Sequence, residues 1–284
     1  MKQLVAGTID EQPKNTGALE DFVASVKHLP LYTAMAARLV RSVEREDITA
    51  SELGRQIGAD AVLASHLLRL ANSSFYGMSG RIATVSDAIA VLGLNMVRRI
   101  VTSVVLQRPL TPYLHDTPGV REFWRHQLMC AALARHLQVR KREAGEEVAY
   151  MAGLLHDVGR LVMLVRRPQD YAELRERPYA EEDEPIAERE RERFGFDHAQ
   201  VGAALLKLWG VPERIVQAVR QHADRTTPDE AIAVSVWHAN RLAHRLVEEP
   251  PDGPDRPWML EAGLAAEVRQ PIVDEVSALA TLNG

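Results

Sequence analysis

Two adjacent residues, His156 and Asp157, carry the strongest chemical potential in this chain of 284 residues. They sit in the middle of an apolar segment, Met151–Val165 (MAGLLHDVGRLVMLV). A carboxylate among leucines is costly unless a cation or a hydrogen-bond donor satisfies it. Neighbouring residues on a helix point about 100° apart, so the pair can grip one ion or reach two adjacent helices. Ala149, Ala152, Gly153 and Gly159 share the face of His156, and such small side chains admit another backbone, a ligand or an ion. The pair therefore reads as a metal or phosphate site, or as a hydrogen-bonded staple between helices.

Other polar residues fall on apolar stripes. His126 lies with Phe123, Cys130, Leu133 and Leu137 on one face of a helix expected over Arg121–Arg140. Asn240 lies with Ala233, Val236, Trp237, Ala243 and Val247 on a helix expected over Asp229–Val247. A buried amide there needs a partner, and His126 and Asp157 are the candidates. His198 and His222 each fall near a helix end and read as structural or solvent-facing. Arg98-Arg99 reads as a solvated face and the run at 181–193 as an exposed helix of both signs. Cys130 has no neighbour in sequence to activate it. Asn72-Ser73 reads as a helix end that packs the first lobe.

The elements that must position these residues are all helical. A loose arm is expected over 1–17, then helices over Leu19–His28 and Leu31–Glu44. Thr49 caps the next and Asp60 the one after it, AVLASHLLRLAN, which is apolar almost all round. Thr84 or Ser86 caps a helix stopped by Gly93, and Leu94–Leu106 follows. Three prolines and a glycine in 107–120 mark a boundary between lobes. The segment from about Glu146 to Val165 reads as one central helix, ended by Arg166-Arg167-Pro168. Asp197 caps HAQVGAALLKLWG, and Pro250–Pro257 reads as a linker before a terminal helical tail. The expected division is an arm (1–17), an N-terminal helical lobe (18–110), a second helical lobe (121–248) and a tail (249–284). The two helices around Gly58 have helix-turn-helix length. Residues 61–71, however, offer base edges only Ser65, His66 and Arg69, so nucleic-acid binding is a minor alternative.

Hydrophobic residues at 46% and charged residues at 26% give the profile of a globular protein. A net charge of -5 provides no global basic field for nucleic acid. One cysteine excludes an internal disulfide framework and fits a reducing compartment. No apolar run approaches the roughly 18 residues of a bilayer span, and the N-terminus lacks a signal-peptide core. A cytoplasmic protein without a membrane partner is the expectation.

The distributed pattern resembles a known family. His156-Asp157 in a helix, with His126 on the preceding helix, is similar to the HD superfamily of metal-dependent phosphohydrolases. LLRLANS at 67–73, FYG at 75–77, GLLHDVGRLV at 153–162, His198 in DHAQVGAALLKLWGVP and ANRLA at 239–243 narrow the resemblance to the HDOD domain, over roughly residues 20–245. It implies an all-α fold, an HD-like helical bundle with a smaller N-terminal helical lobe. By the same resemblance His126, His156, Asp157 and Asn240 stand at the HD metal-ligand positions, with an amide where active enzymes have an acid. A divalent metal (Fe, Mn, Ni or Zn) at a vestigial site is the cofactor implied. His198 and His222 match histidines of the related HD-GYP phosphodiesterases, although Ala223 replaces a second histidine, Asp224 stands for a glutamate, and the GYP triplet is absent. Arg160 replaces the lysine that commonly follows the HD core. HDOD domains are generally taken as HD folds without phosphohydrolase chemistry. The implied function is a non-catalytic bacterial signalling module that binds a protein or a nucleotide-like ligand, with no catalytic residue assigned. A metal-dependent phosphohydrolase is the alternative.

Overall fold

The computed structural model describes residues 16–25, 49–73, 80–107, 120–174, 183–248, 264 and 266–280. Among these every regular element is a helix. In chain order they are α1 (Thr16–Ser25), α2 (Ala50–Gly58), α3 (Ala61–Ala71), α4 (Val85–Leu92) and α5 (Leu94–Gln107), then α6 (Val120–Lys141), α7 (Glu146–Leu155) and α8 (Val158–Arg166). They continue with α9 (Pro168–Glu173), α10 (Asp183–Phe194), α11 (His198–Leu208), α12 (Glu213–Gln221), α13 (Ala231–Glu248) and α14 (Ala266–Ala280). The helix expected over Leu31–Glu44, the boundary at 108–119 and the linker at 250–257 lie outside the described residues.

Local chemistry sets the helix starts. Thr49 Oγ1 accepts from Glu52 N at 3.2 Å and Thr84 Oγ1 from Asp87 N at 3.1 Å. Asp197 and Gln200 form a reciprocal capping box at the start of α11. Asn72 does more than end α3. Its amide donates to Ile82 O at 2.7 Å and accepts from Ile82 N at 2.9 Å, closing the loop between α3 and α4.

Two groups of helices result. The helices α2 to α5 pack on one another around Leu53, Leu67, Ile89 and Val97. The larger group is built on α6, with α7 and α13 lying along it, α12 against α7 and α13, and α11 between α8 and α12. The helix α1, expected to belong to the N-terminal lobe, packs instead on α11 of the second group, Phe22 meeting Phe196 at 5.1 Å between ring centroids. The tail helix α14 lies on α6.

The central helix is not continuous. It breaks between α7 and α8 at His156 and Asp157, where Asp157 leaves helical geometry (φ -101°, ψ 12°). Residues 146–166 together have the length and composition of a bilayer span, but 89% of the apolar window is buried inside the fold, as in a core helix. Two glycines allow this burial. A Cβ on Gly153 would lie 2.8 Å from Ala131 Cα of α6, and one on Gly159 would lie 1.9 Å from His198 O of α11. The small-residue face expected around His156 thus splits its role, Gly153 admitting one backbone and Gly159 another.

Arg99 is not a solvated face. It is 5% exposed and ties three elements, pairing with Glu147 of α7 and, at 3.1 Å, with Glu275 of α14. Its guanidinium carbon lies 5.0 Å from the centroid of the Tyr150 ring.

Candidate metal centre

The break at 156–157 turns two side chains inward among four other helices. His126 comes from α6, His198 from the first turn of α11, His222 from the end of α12 and Asn240 from α13. All are buried, as are His156, Asp157 and Arg160, none more than 3% exposed. His198 and His222, read as structural or solvent-facing, therefore face the same interior as the HD pair. Helical periodicity does not show this, because the two lie 24 residues apart and each falls at the fringe of its own helix; the resemblance alone placed both among the weaker metal candidates.

Asp157 is the hub. Its Oδ2 lies 3.6 Å from His156 Nε2, and its Oδ1 lies 3.4 Å from both His198 Nε2 and His222 Nε2. Arg160 Nε stands 2.9 Å from Oδ1. His126 Nε2 is 3.3 Å from His156 Nε2, and the two ε-nitrogens of His198 and His222 are 3.2 Å apart. Two triads thus share one carboxylate: His126, His156 and Asp157 on one side, Asp157, His198 and His222 on the other.

Hydrogen bonds at the far side of each ring assign the protons. His156 Nδ1 is 2.7 Å from Gly153 O, His222 Nδ1 is 2.6 Å from Val219 O, and His198 Nδ1 is 2.5 Å from Glu190 Oε2. Carbonyl and carboxylate oxygens only accept, so each Nδ1 carries the proton and each Nε2 turns a lone pair toward Asp157. Lone pairs of three imidazoles and a carboxylate converge there beside the Arg160 guanidinium, and such a set can ligate a divalent cation, with the outer hydrogen bonds that orient such ligands. These residues fit a metal.

His126 differs. Its Nε2 is 2.9 Å from Asn240 Oδ1, an acceptor, while its Nδ1 has no partner. The proton therefore sits on Nε2 and is donated to the amide, as the sequence reading of Asn240 expected of a buried amide. The side holding His126 has one imidazole committed to Asn240. On the side holding His198 and His222, both ε-nitrogens lie 3.4 Å from Asp157 Oδ1.

Burial and charge agree with this assignment. Burial lowers His156 to a pKa of about 3, and lowers His126 well below its ordinary value with His244 acting in the same direction, so both rings are neutral. Burial pushes Asp157 up, but the Arg160 guanidinium beside it outweighs this and holds the carboxyl well below the usual range.

Glu190 was missed. It lies in the charged run at 181–193, whose composition reads as an exposed helix, yet it is fully buried. Its carboxylate accepts from His198 Nδ1, from His198 N at 2.8 Å and from the Tyr171 hydroxyl at 2.9 Å. Burial opposes its charge, and His198 holds its pKa below the ordinary value. A sequence signal existed: Ile186, Ala187 and Glu190 follow helical spacing, so Glu190 continues an apolar stripe.

The sequence from residue 29 to residue 225 matches the family model of the HDOD domain, and the chain belongs to that family. It is 26% identical over 226 residues to an uncharacterized protein of Treponema pallidum, covering 78% of this chain and 42% of that one. The chain thus spans less than half the length of that curated relative. Solved structures share the fold. An HDOD domain protein of Geobacter sulfurreducens is 22% identical with a TM-score of 0.69, over 94% of this chain and 97% of its own. A candidate phosphohydrolase of Shewanella amazonensis is 21% identical with a TM-score of 0.70, over 94% and 98%. A candidate signal-transduction protein of Marinobacter aquaeolei is 23% identical with a TM-score of 0.70, over 95% and 67%.

Proposed function

We propose that this chain is a non-catalytic regulatory module of bacterial signal transduction, one that works by binding a protein or a nucleotide-like ligand. Its His/Asp centre serves as an internal tie that takes one divalent cation. The observation that supports this best is closure. Every donor at the centre is at most 3% exposed, so a phosphodiester has no surface through which to reach it. The amide at position 240 points the same way, since it withholds the charge that a second ion relies on and occupies the Nε2 proton of His126.

Asp157, His198 and His222 would hold the ion. Bound there, a divalent cation supplies fixed positive charge and Lewis acidity. The chain's own residues do the rest: Glu190, Val219 O and Gly153 O hold three imidazoles in the ligand tautomer, and Arg160 balances Asp157. A second reading, a metal-dependent phosphohydrolase, is favoured by the two triads sharing one carboxylate. Elemental analysis of purified protein, with a phosphodiesterase assay in manganese on bis(p-nitrophenyl) phosphate and a cyclic dinucleotide, tests both. One equivalent of metal and no turnover is expected. Turnover that disappears in His156→Ala would overturn the regulatory reading.

A further inference from the structure

A second site lies outside the His/Asp centre. A cleft of about 790 Å³ opens between α1, the junction of α8 with α9, and the end of α10. That volume is in the range of small-molecule sites. One wall is aromatic: Phe22 and Phe196 meet at 5.1 Å, and Phe194 lies 6.2 Å from Phe196 with the rings within 20° of parallel. The opposite chemistry comes from three arginines, Arg166, Arg167 and Arg193. Arg193 is engaged by Asp170 at 2.6 Å and by Glu173 at 3.7 Å. Arg166 and Arg167 are exposed and have no side-chain partner among the described residues.

We infer that this cleft binds a nucleotide, its phosphate on Arg166 and Arg167 and its base against the phenylalanine wall. Guanidinium groups match phosphate oxygens in pairs, and an aromatic face beside them suits a planar ring rather than a bare anion. Two free guanidinium groups in one cleft are notable on a chain of net charge -5. Asp21, on the same lining and also without a side-chain partner among the described residues, supplies an acceptor for a sugar hydroxyl or a base amine.

The placement gives the ligand a route to the centre. The helix α8 starts at its N-cap Asp157 and ends nine residues later at Arg166. The helix α10 carries Glu190, which grips His198, and then Arg193 and Phe194, which line the cleft. A nucleotide held between the ends of α8 and α10 therefore bears on the two helices that set Asp157 and His198. The inference deepens the regulatory reading and rests on it for its purpose, but its test reads a different site.

The test is isothermal titration calorimetry of the full chain with AMP and GMP, with adenosine and inorganic phosphate as half-ligands. At least one nucleotide saturates one site per chain and binds more tightly than either half-ligand. The double variant R166E/R167E, changed at exposed positions and checked for unaltered helicity, weakens it at least tenfold. Phe194→Ala weakens it as well, and metal content is unchanged in both variants. Lack of saturable binding by either nucleotide would overturn the inference. So would binding that R166E/R167E leaves within twofold, or adenosine or phosphate binding as tightly as the nucleotide. Metal content and hydrolysis report on the buried centre, so failure here is distinguishable from failure of the regulatory reading.

Discussion

At position 240 an amide oxygen stands 2.9 Å from His126 Nε2, where a carboxylate would carry a full negative charge. Asn240→Asp is expected to raise the metal content from one equivalent toward two, as measured by elemental analysis. In the same variant, chelation should lower the melting temperature below that of the parent, because a second buried carboxylate is then left beside Asp157 without a cation. Glu190→Gln keeps one acceptor but sets an amide N–H against donors of His198 or Tyr171. Its cost is about 1–3 kcal/mol in urea denaturation. Chelated protein should also be acid-labile. His156, with a pKa of about 3, and His126 are neutral when folded, and each gains a proton on unfolding below about pH 6.5. The unfolded state then binds more protons, so stability falls as pH falls below 6.5, by up to about 1.4 kcal/mol per pH unit for each ring. Asp157, held low, adds its loss below about pH 4. Denaturation midpoints at pH 8, 6 and 5 check the sign, and a flat profile would contradict it.

Among the elements, the contact of α8 with α11 is the least forgiving. Gly159→Ala would drive a Cβ into His198 O and is expected to abolish folding or cost more than about 3 kcal/mol. Gly58→Ala is the matched control. Nothing lies within 4 Å of its added Cβ at the end of α2, so it should be neutral or stabilise by up to about 1 kcal/mol. Thermal melts of the two variants separate packing from propensity. At this scale the sequence was most legible where chemistry is local. The caps at Thr49, Thr84 and Asp197 and the stop at Gly93 act within four residues and could be read directly. The break at Asp157 could not, since helical periodicity runs unchanged through Met151–Val165. The break sits where α11 and α12 bring His198 and His222 to its carboxylate, a tertiary arrangement that periodicity does not encode.

For the molecule as a whole, Arg99 shows how far charge patterning can mislead. Arg98 and Arg99 are alike in sequence, yet Arg99 is enclosed by α7 and α14, from positions 48 and 176 residues away. Arg99→Ala should cost about 2–3 kcal/mol, below the 3–5 typical of a broken buried pair because Glu147 and Glu275 keep 22% and 15% exposure. Urea midpoints of this variant and of Glu275→Gln, with their double variant, would measure the coupling. The all-helical class was legible because it follows from composition and period. The centre was half legible: the resemblance pointed to His126, His156, Asp157 and Asn240 and, more weakly, to His198 and His222, while the role of Glu190 depends on packing between distant helices.

The buried 146–166 segment has a consequence for synthesis. Its cover includes α13, which ends at residue 248. At about 5–20 residues per second, the ribosome needs roughly 4–16 s to make the roughly 80 residues in between. Throughout that interval the apolar 146–166 stretch of a nascent chain is made but lacks the cover that α13 gives it in the folded protein.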